Sequence, residues 1–67
     1  MDLKKYYDRE VIIITDDGQI FRGVVEDYIY PEDNENGKES IILTTKQSLV
    51  EFYEEDIKDV IVLGGDS

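Results

Sequence analysis

The chain has 67 residues, of which 17 are acidic and seven basic, and its formal net charge is −10 at neutral pH. It contains no Cys, which excludes disulfide bonds and thiolate metal sites, and no His, so its charge changes little between about pH 6 and 8. A hydrophobic fraction of 40%, with five Tyr and two Phe, is too high for a disordered acidic chain. We therefore expect one folded domain, residues 1–67, with a core that is compact or shared with another subunit.

The N-terminal segment and the hydropathy of the chain bear on its location. The first ten residues are too charged for a signal peptide, and no apolar run approaches the roughly 20 residues that a membrane helix needs. We expect a cytoplasmic protein without membrane contact. A net charge of −10 also repels nucleic-acid phosphates unless the few cations cluster.

The first half of the chain predicts a short helix followed by two strands. Residues 2–9 place Leu3, Tyr6 and Tyr7 at helical spacing, with Asp2 as the N-terminal cap. The β-branched run at 11–14 predicts a strand, and residues 15–18 a turn in which Gly18 takes a positive φ. A long strand follows at 19–30, and Gly23 near its middle predicts a bend or bulge.

The second half predicts three further strands. Residues 31–38 form an acidic loop, because Pro31 blocks strand pairing and Asn36-Gly37 favours a tight turn. Strands are expected at 39–45, 49–53 and 60–63, with a turn at 46–48 and one 3₁₀ turn at 54–57. The last residues, 64–67, are expected to form a flexible tail.

This order of elements is typical of a mainly β protein, a small five-stranded SH3-like barrel with a short N-terminal helix. Closing such a sheet protects its edge strands and fills the interior with side chains. Strand register decides which residues point inward, and neighbours exchange places if it slips. The expected interior consists of Val11, Ile13, Ile20, Val24, Ile42, Val50, Phe52, Ile57, Val60 and Val62.

The same features resemble the Sm-like family, which includes the Sm and Sm-like proteins of RNA processing and the bacterial host-factor RNA chaperone. The resemblance rests on the N-terminal helix, Val11-x-Ile13, the glycines Gly18 and Gly23, Asp27, and the closing segment 56–63. It covers nearly the whole chain, although two glycines and alternating apolar residues are weak motifs. What it implies is an Sm-like barrel.

The RNA-binding residues of the family have no counterparts here. In the family, an Asp followed shortly by Asn after strand two, and an Arg-Gly or Lys-His pair in the last turn, hold the RNA base. Here Asp27 is followed by residues 28–31, Tyr-Ile-Tyr-Pro, with no matching Asn, and the last turn carries Glu54, Glu55 and Asp56. The resemblance therefore implies a fold more than an activity.

Catalytic and metal sites find little support in the sequence. Without His or Cys, acid–base or nucleophilic chemistry is left to Asp, Glu, Lys or Tyr, whose positions suit solvated turns and strand faces; we expect no enzyme. Glu32, Asn34, Asn36 and Gly37 loosely resemble the start of a calcium-binding EF-hand loop, but Leu43 stands where the bidentate Glu is required. We expect neither a metal nor a cofactor.

Aromatic and basic residues are the other candidates for a surface site. Tyr28, Tyr30 and Tyr53 suit core packing, a protein-partner surface or, less well, base stacking. Three cations gather near the N-terminus and predict either a small basic face or a solvated, ion-paired one: Lys4, Lys5 and Arg9.

We therefore predict a protein-interaction or assembly module, which either binds a basic protein or self-associates through strand edges as Sm-like rings do. The chain is also similar in size, charge and element order to small acidic Sm-like proteins of bacteria that occupy the RNA-binding surface of the termination factor Rho. The carboxylates expected to mimic phosphates are Glu32, Asp33, Glu35, Glu54, Glu55 and Asp56.

The alternative is an RNA-binding ring. That function requires the cations to converge on one pore or groove, and the residues concerned are Lys4, Lys5, Arg9, Arg22 and Lys46. At −10 per subunit a ring also accumulates like charges, which favours a monomer or small oligomer at low salt.

Overall fold

A computed structural model describes residues 1–64, and within them five antiparallel strands form a single sheet. The mainly β class and the strand number are thereby confirmed. The strands are β1 (Glu10–Thr15), β2 (Ile20–Ile29), β3 (Ser40–Thr44), β4 (Leu49–Tyr53) and β5 (Ile57–Val62). Short 3₁₀ turns lie at Leu3–Tyr6, Pro31–Asp33 and Glu54–Asp56. Apart from Gly64, the expected flexible tail at 64–67 lies outside the described residues.

The sheet is open rather than closed into the predicted barrel. Its strand order is β4-β3-β2-β1-β5, so within residues 1–64 the edge strands β4 and β5 do not pair with each other. Between the β1–β2 turn and β4 lies an open groove of about 390 Å³, lined by Phe21 and Phe52 and by the carboxylates of Asp16, Asp17 and Asp56. Carboxylates in this open groove stay hydrated, whereas they would lose water if the two edge strands paired and closed the sheet.

The predicted N-terminal helix is also shorter than expected. Only Leu3–Tyr6 is helical, as one 3₁₀ turn, and the Asp2 side chain makes no capping hydrogen bond. Asp8 takes a φ of 64°, a left-handed conformation that Asp tolerates better than most residues. Its N–H then donates to Val25 O at 2.8 Å, so the chain joins β2 instead of continuing the helix.

A β-bulge in β2 determines which residues form the core. Val25 pairs with Leu43, but the next pair is Asp27 with Ile42, so Glu26 is an extra residue in the ladder. A bulge shifts the side-chain alternation by one residue. The sequence predicted the irregularity at Gly23, three residues earlier.

The core differs accordingly from the predicted interior. Eight buried apolar residues form it: Leu3, Val11, Ile13, Val25, Ile41, Leu43, Phe52 and Ile57. Of the predicted set, Val50 and Val60 are partly buried against it, but Ile20 is 70% exposed. Val24 is exposed as well, and Ile42 is only half-buried, because on β2 and β3 the opposite face points inward. Val62 stands opposite the buried Val11 but is 37% exposed at the end of β5.

A second bulge explains the length of β5. Ile14 pairs with Asp59, whereas the neighbouring Thr15 pairs with Ile57, so Lys58 is the extra residue. The irregularity lets β5 begin at Ile57 instead of the predicted residue 60, and it turns Ile57 into the core.

Among residues 1–64, no helix has the length and apolar character needed to cross a bilayer.

Gly23 lies so close to the backbone of β3 that a residue with a Cβ atom does not fit at this position. A Cβ built on this residue lies 2.1 Å from Thr44 O and 2.8 Å from Thr44 C, both backbone atoms of β3. We expect Gly23→Ala to lower the free energy of unfolding by about 2 kcal/mol or more, because a backbone clash is not relieved by a side-chain rotation. Urea unfolding followed by circular dichroism measures the change.

The matched control for this substitution is Val24→Ala. Val24 is on the same strand but 40% exposed, so we expect this change to cost less than about 1 kcal/mol. Equal losses for the two variants would show that the approach of Thr44 to Gly23 does not constrain the fold.

Candidate functional site

The acidic loop and the start of the acidic turn, two segments singled out from the sequence, lie at the same end of the sheet. The acidic loop, residues 31–38, follows β2, and the acidic turn, Glu54–Asp56, follows β4. Adjacent positions in the ladder are Ile29 with Ser40 and Ser40 with Tyr53. The N–H of Glu54 also donates to Glu39 O at 3.1 Å, so the acidic turn begins beside the end of the acidic loop.

The acidic loop is held by its own hydrogen bonds. The Asn34 side-chain amide donates to Lys38 O at 2.7 Å and to Ser40 Oγ at 3.0 Å. Asn36 Oδ1 accepts from the Lys38 N–H at 3.0 Å, and Gly37 takes a φ of 71°. These hydrogen bonds and the left-handed glycine define the shape of the loop.

These bonds also bear on the calcium hypothesis. Asn36 Oδ1, one of the amide oxygens that resemble calcium ligands, accepts from the Lys38 N–H within the loop. Among residues 1–64, no group of three or more His, Cys, Asp or Glu side chains is arranged to hold a metal ion.

Most of the candidate carboxylates are exposed and unpaired. In the part of the chain that the structure describes, four of them make no side-chain hydrogen bond or ion pair: Glu32, Asp33, Glu35 and Glu55. Glu54 differs, because its Oε1 lies 3.2 Å from the Met1 amino group. Asp56 is exposed and accepts the Asp16 N–H at its backbone oxygen, at 3.1 Å. The carboxylates of the acidic loop thus face solvent at one end of the sheet, whereas Asp56 lies beside the β1–β2 turn at the other end.

A buried carboxylate, which sequence reasoning missed, supports this end of the molecule. Glu39 is 8% exposed, and its Oε1 accepts from the Tyr28 hydroxyl at 2.8 Å and from the Leu3 N–H at 3.3 Å. A signal was present in the sequence: residues 39, 41 and 43 alternate on one face of the predicted third strand, and Ile41 and Leu43 are buried. Glu39 thus connects the N-terminal turn to β2 and β3.

The predicted tyrosines separate into three environments. Tyr28 is half-buried and points to Glu39, and Tyr53 is half-buried at the end of β4. Tyr30 is 44% exposed, and its ring meets that of Tyr28 edge to face, with centroids 5.0 Å apart. Tyr30 is therefore the most accessible of the three.

The predicted basic residues pair with aromatic rings or with groups nearby. Lys4 Nζ donates to the Tyr30 hydroxyl at 2.8 Å and lies 5.0 Å from the centroid of that ring; this hydrogen bond raises the pKa of Lys4. Lys5 Nζ lies 5.3 Å from the centroid of the Tyr6 ring. Arg9 is half-buried and has an interaction partner of its own. Lys4 and Lys5 thus each lie against a tyrosine ring at the N-terminal turn.

Two of the remaining cations lie on a different part of the surface. Arg22 and Lys46 line an open groove of about 660 Å³ between β2 and the β3–β4 turn. Arg22 Nε lies 3.2 Å from Glu10 Oε2, so an exposed ion pair occupies one wall. Of the cations named for an RNA-binding ring, these two share a groove within the described chain, whereas Lys4 and Lys5 are at the N-terminal turn.

Comparison of the chain with protein-family models, with curated proteins and with solved structures found no match. What the site can do is therefore argued from its geometry. The chemistry on this surface consists of solvated carboxylates, one accessible tyrosine and cations that are already engaged, which together suit the binding of a positively charged partner.

The contribution of the Tyr28–Glu39 hydrogen bond to the stability of the fold can be measured with a substitution. We expect Tyr28→Phe to lower the free energy of unfolding by about 1 kcal/mol at pH 7, because it removes one donor to a buried carboxylate. Tyr7→Phe is the matched control, since Tyr7 is 54% exposed. Indistinguishable unfolding curves for the two variants would show that the bond contributes nothing.

The same pair predicts a pH dependence. The hydrogen bond to Glu39, followed by partial burial and the charge of Glu39, raises the pKa of Tyr28 to about 12 from its ordinary value of 10.0. Above pH 10 the unfolded chain releases this proton while the folded chain retains it, so the stability supplied by Tyr28 falls between pH 10 and 12. We expect the stability difference between the wild type and Tyr28→Phe to be constant below pH 10 and to shrink above it.

Proposed function

We propose that this protein is a non-enzymatic, cytoplasmic interaction module of Sm-like architecture, whose acidic end binds a basic protein partner. The observation that supports the proposal is the group of exposed carboxylates in the acidic loop, which follows β2, and at the start of the acidic turn, which follows β4. The net charge of −10 adds a long-range field of the same sign.

Electrostatics explains why a basic protein suits this surface. A solvated carboxylate keeps most of its water when a partner binds. Its contribution to binding is therefore mainly that it speeds encounter and repels acidic competitors. Acidic side chains on a structured loop also offer oxygen acceptors at fixed positions, as a phosphate backbone does. We therefore propose that the partner is a nucleic-acid-binding protein whose cationic site accepts Glu32, Asp33, Glu35 and Glu55 as phosphate mimics.

The Sm-like part of the proposal rests on the strand order and the resemblance in sequence. In β4-β3-β2-β1-β5 the unpaired edges belong to β4 and β5, the strands through which Sm-like subunits associate. Exposed edges favour pairing between copies. Repulsion between subunits of charge −10 opposes it, so self-association is expected to strengthen as salt rises.

A second candidate function is RNA binding by an oligomeric ring. The observation in its favour is that Arg22 and Lys46 line one groove, where phosphates would meet two cations. The Arg22–Glu10 ion pair and the overall negative field weaken this candidate.

Neutralising the acidic loop tests the leading proposal. We expect a triple variant, Glu32→Gln with Asp33→Asn and Glu35→Gln, to lose most of the captured basic partner when immobilised protein is exposed to cell lysate at about 50 mM salt. The wild-type interaction should also weaken steeply as salt is raised. Quantitative mass spectrometry of the captured proteins gives the comparison.

The matched control removes the same number of charges elsewhere. Asp8→Asn with Glu26→Gln and Asp27→Asn alters exposed carboxylates outside the acidic loop and turn, and amides preserve the oxygen acceptors used by Thr44 and Tyr28. Equal loss in the two triple variants would mean that net charge alone, and not the acidic loop, selects the partner.

Light scattering coupled to size-exclusion chromatography separates the two candidate functions. We expect a monomer or small oligomer with a protein-like ratio of absorbance at 260 nm to that at 280 nm. The chain has no Trp, so bound nucleic acid would dominate the absorbance. A ring-sized mass with a nucleic-acid ratio would support the RNA-binding alternative and contradict the leading proposal.

A further inference from the structure

The groove between the β1–β2 turn and β4 lies at the end of the sheet opposite the acidic loop. Its volume of about 390 Å³ is within the range of roughly 300–1,000 Å³ in which proteins hold ligands. Aromatic and acidic side chains line it together. We name it the aromatic groove, and the residues that matter for its chemistry are Phe21, Val50, Phe52, Asp16, Asp17 and Asp56.

The apolar wall of the aromatic groove contains two rings. Phe21 and Phe52 meet edge to face, with ring centroids 5.0 Å apart. Phe52 belongs to the core at 4% exposure, whereas Phe21 and Val50 are half-buried and keep part of their surface open to the groove. An aromatic surface of this kind attracts cations as well as apolar groups.

The carboxylates of the aromatic groove have no counter-charge within the described chain. No Lys or Arg from residues 1–64 lines the groove, and the side chains of Asp16 and Asp56 make no hydrogen bond or ion pair there. The Thr15 hydroxyl donates to Asp17 Oδ1 and lowers the pKa of this carboxyl group, so it stays ionised further into acid. A cleft lined by charges of one sign concentrates ions of the opposite sign.

The placement of these carboxylates bears on the kind of cation. Among residues 1–64 no three acidic side chains are arranged to hold a metal ion, so the charges are spread around the groove instead of meeting at one point. A lysine ammonium is compact and strongly hydrated. The guanidinium of arginine is planar and less hydrated, carries five N–H donors and stacks on aromatic rings. Arginine therefore matches both the ring and the dispersed carboxylates.

We propose that the aromatic groove binds an arginine side chain of a protein partner, with the guanidinium on the open part of the Phe21 ring and its N–H groups toward the surrounding carboxylates. The site is at the other end of the sheet from the acidic loop, so it goes beyond the proposed function and does not depend on it. Charge favours a partner over a second copy of the chain, which would bring a further −10.

Three short capped peptides test the inference. Each consists of Gly and Ser around one central residue, which is arginine, lysine or citrulline, the uncharged analogue of arginine. Nuclear magnetic resonance titration of the full chain with each peptide at low salt gives the affinities. The shifts of backbone amides and phenylalanine ring signals give the position of the bound peptide.

We expect the arginine peptide to bind about tenfold more tightly than the citrulline peptide, because hydrogen bonds between charged groups are stronger than those of a neutral donor. It should bind about threefold more tightly than the lysine peptide, because the guanidinium also stacks on a ring. The shifts should concentrate at the aromatic groove. Equal affinity for arginine and either other peptide, or shifts confined to the acidic loop, would overturn the inference.

Two double variants locate the site by a second route. Asp16→Asn with Asp56→Asn removes two charges from the aromatic groove, and the fold is expected to persist because neither side chain has a hydrogen bond within residues 1–64. Glu32→Gln with Asp33→Asn is the matched control, since it removes two charges from the acidic loop. Amide spectra of the free variants verify that each one is folded.

The groove variant should weaken binding of the arginine peptide about tenfold, and the control should change it less than about twofold. Equal weakening would show that net charge alone attracts the peptide and would overturn the inference.

The nature of the occupant is tested with N-acetylarginine amide and with the free chain. The arginine peptide should bind at least as tightly as this single amino acid, because an open groove leaves room for flanking backbone. Tighter binding of the single amino acid would identify a small guanidinium compound as the occupant. A dimer of the free chain that is lost in the groove variant would identify a second copy. Either result would overturn the proposed protein partner at this groove.

Discussion

The extra residue at Glu26 is the constraint on which the rest of the molecule depends. Before the bulge, Phe21 and Val25 point toward the core, and after it Tyr28 does. The inward side chains therefore change from odd-numbered to even-numbered residues within one strand. Without the bulge, an inward Val25 would place Tyr28 on the outer face. The bulge thus brings the Tyr28 hydroxyl to Glu39.

The N-terminal turn depends in part on this geometry. Leu3 is fully buried in the core, while its backbone N–H donates to the same Glu39 oxygen that accepts from Tyr28. Apolar burial and a buried acceptor therefore hold the same segment. Because Lys4 contacts Tyr30 from this turn, the orientation of a surface tyrosine is connected to the packing of a core leucine.

How far sequence reasoning succeeds depends on the range of the forces involved. The number and order of the strands follow from local signals, such as the β-branched run of β1 and the turn residues of the acidic loop, and so do the buried positions Val11 and Ile13. The register of β2 and β3 does not, because a bulge has no reliable local signature and a shift of one residue exchanges the faces. Closure of the barrel was predicted wrongly for a related reason, since it depends on pairing between strands distant in sequence.

Charged and apolar side chains differ in what they can contribute to binding. Solvated carboxylates act at a distance, speed encounter and select the sign of the partner, but they add little residence time because each keeps much of its hydration. Aliphatic side chains act only at contact, yet their burial lengthens the lifetime of a complex. The net charge of −10 also opposes the close approach of two copies at low salt.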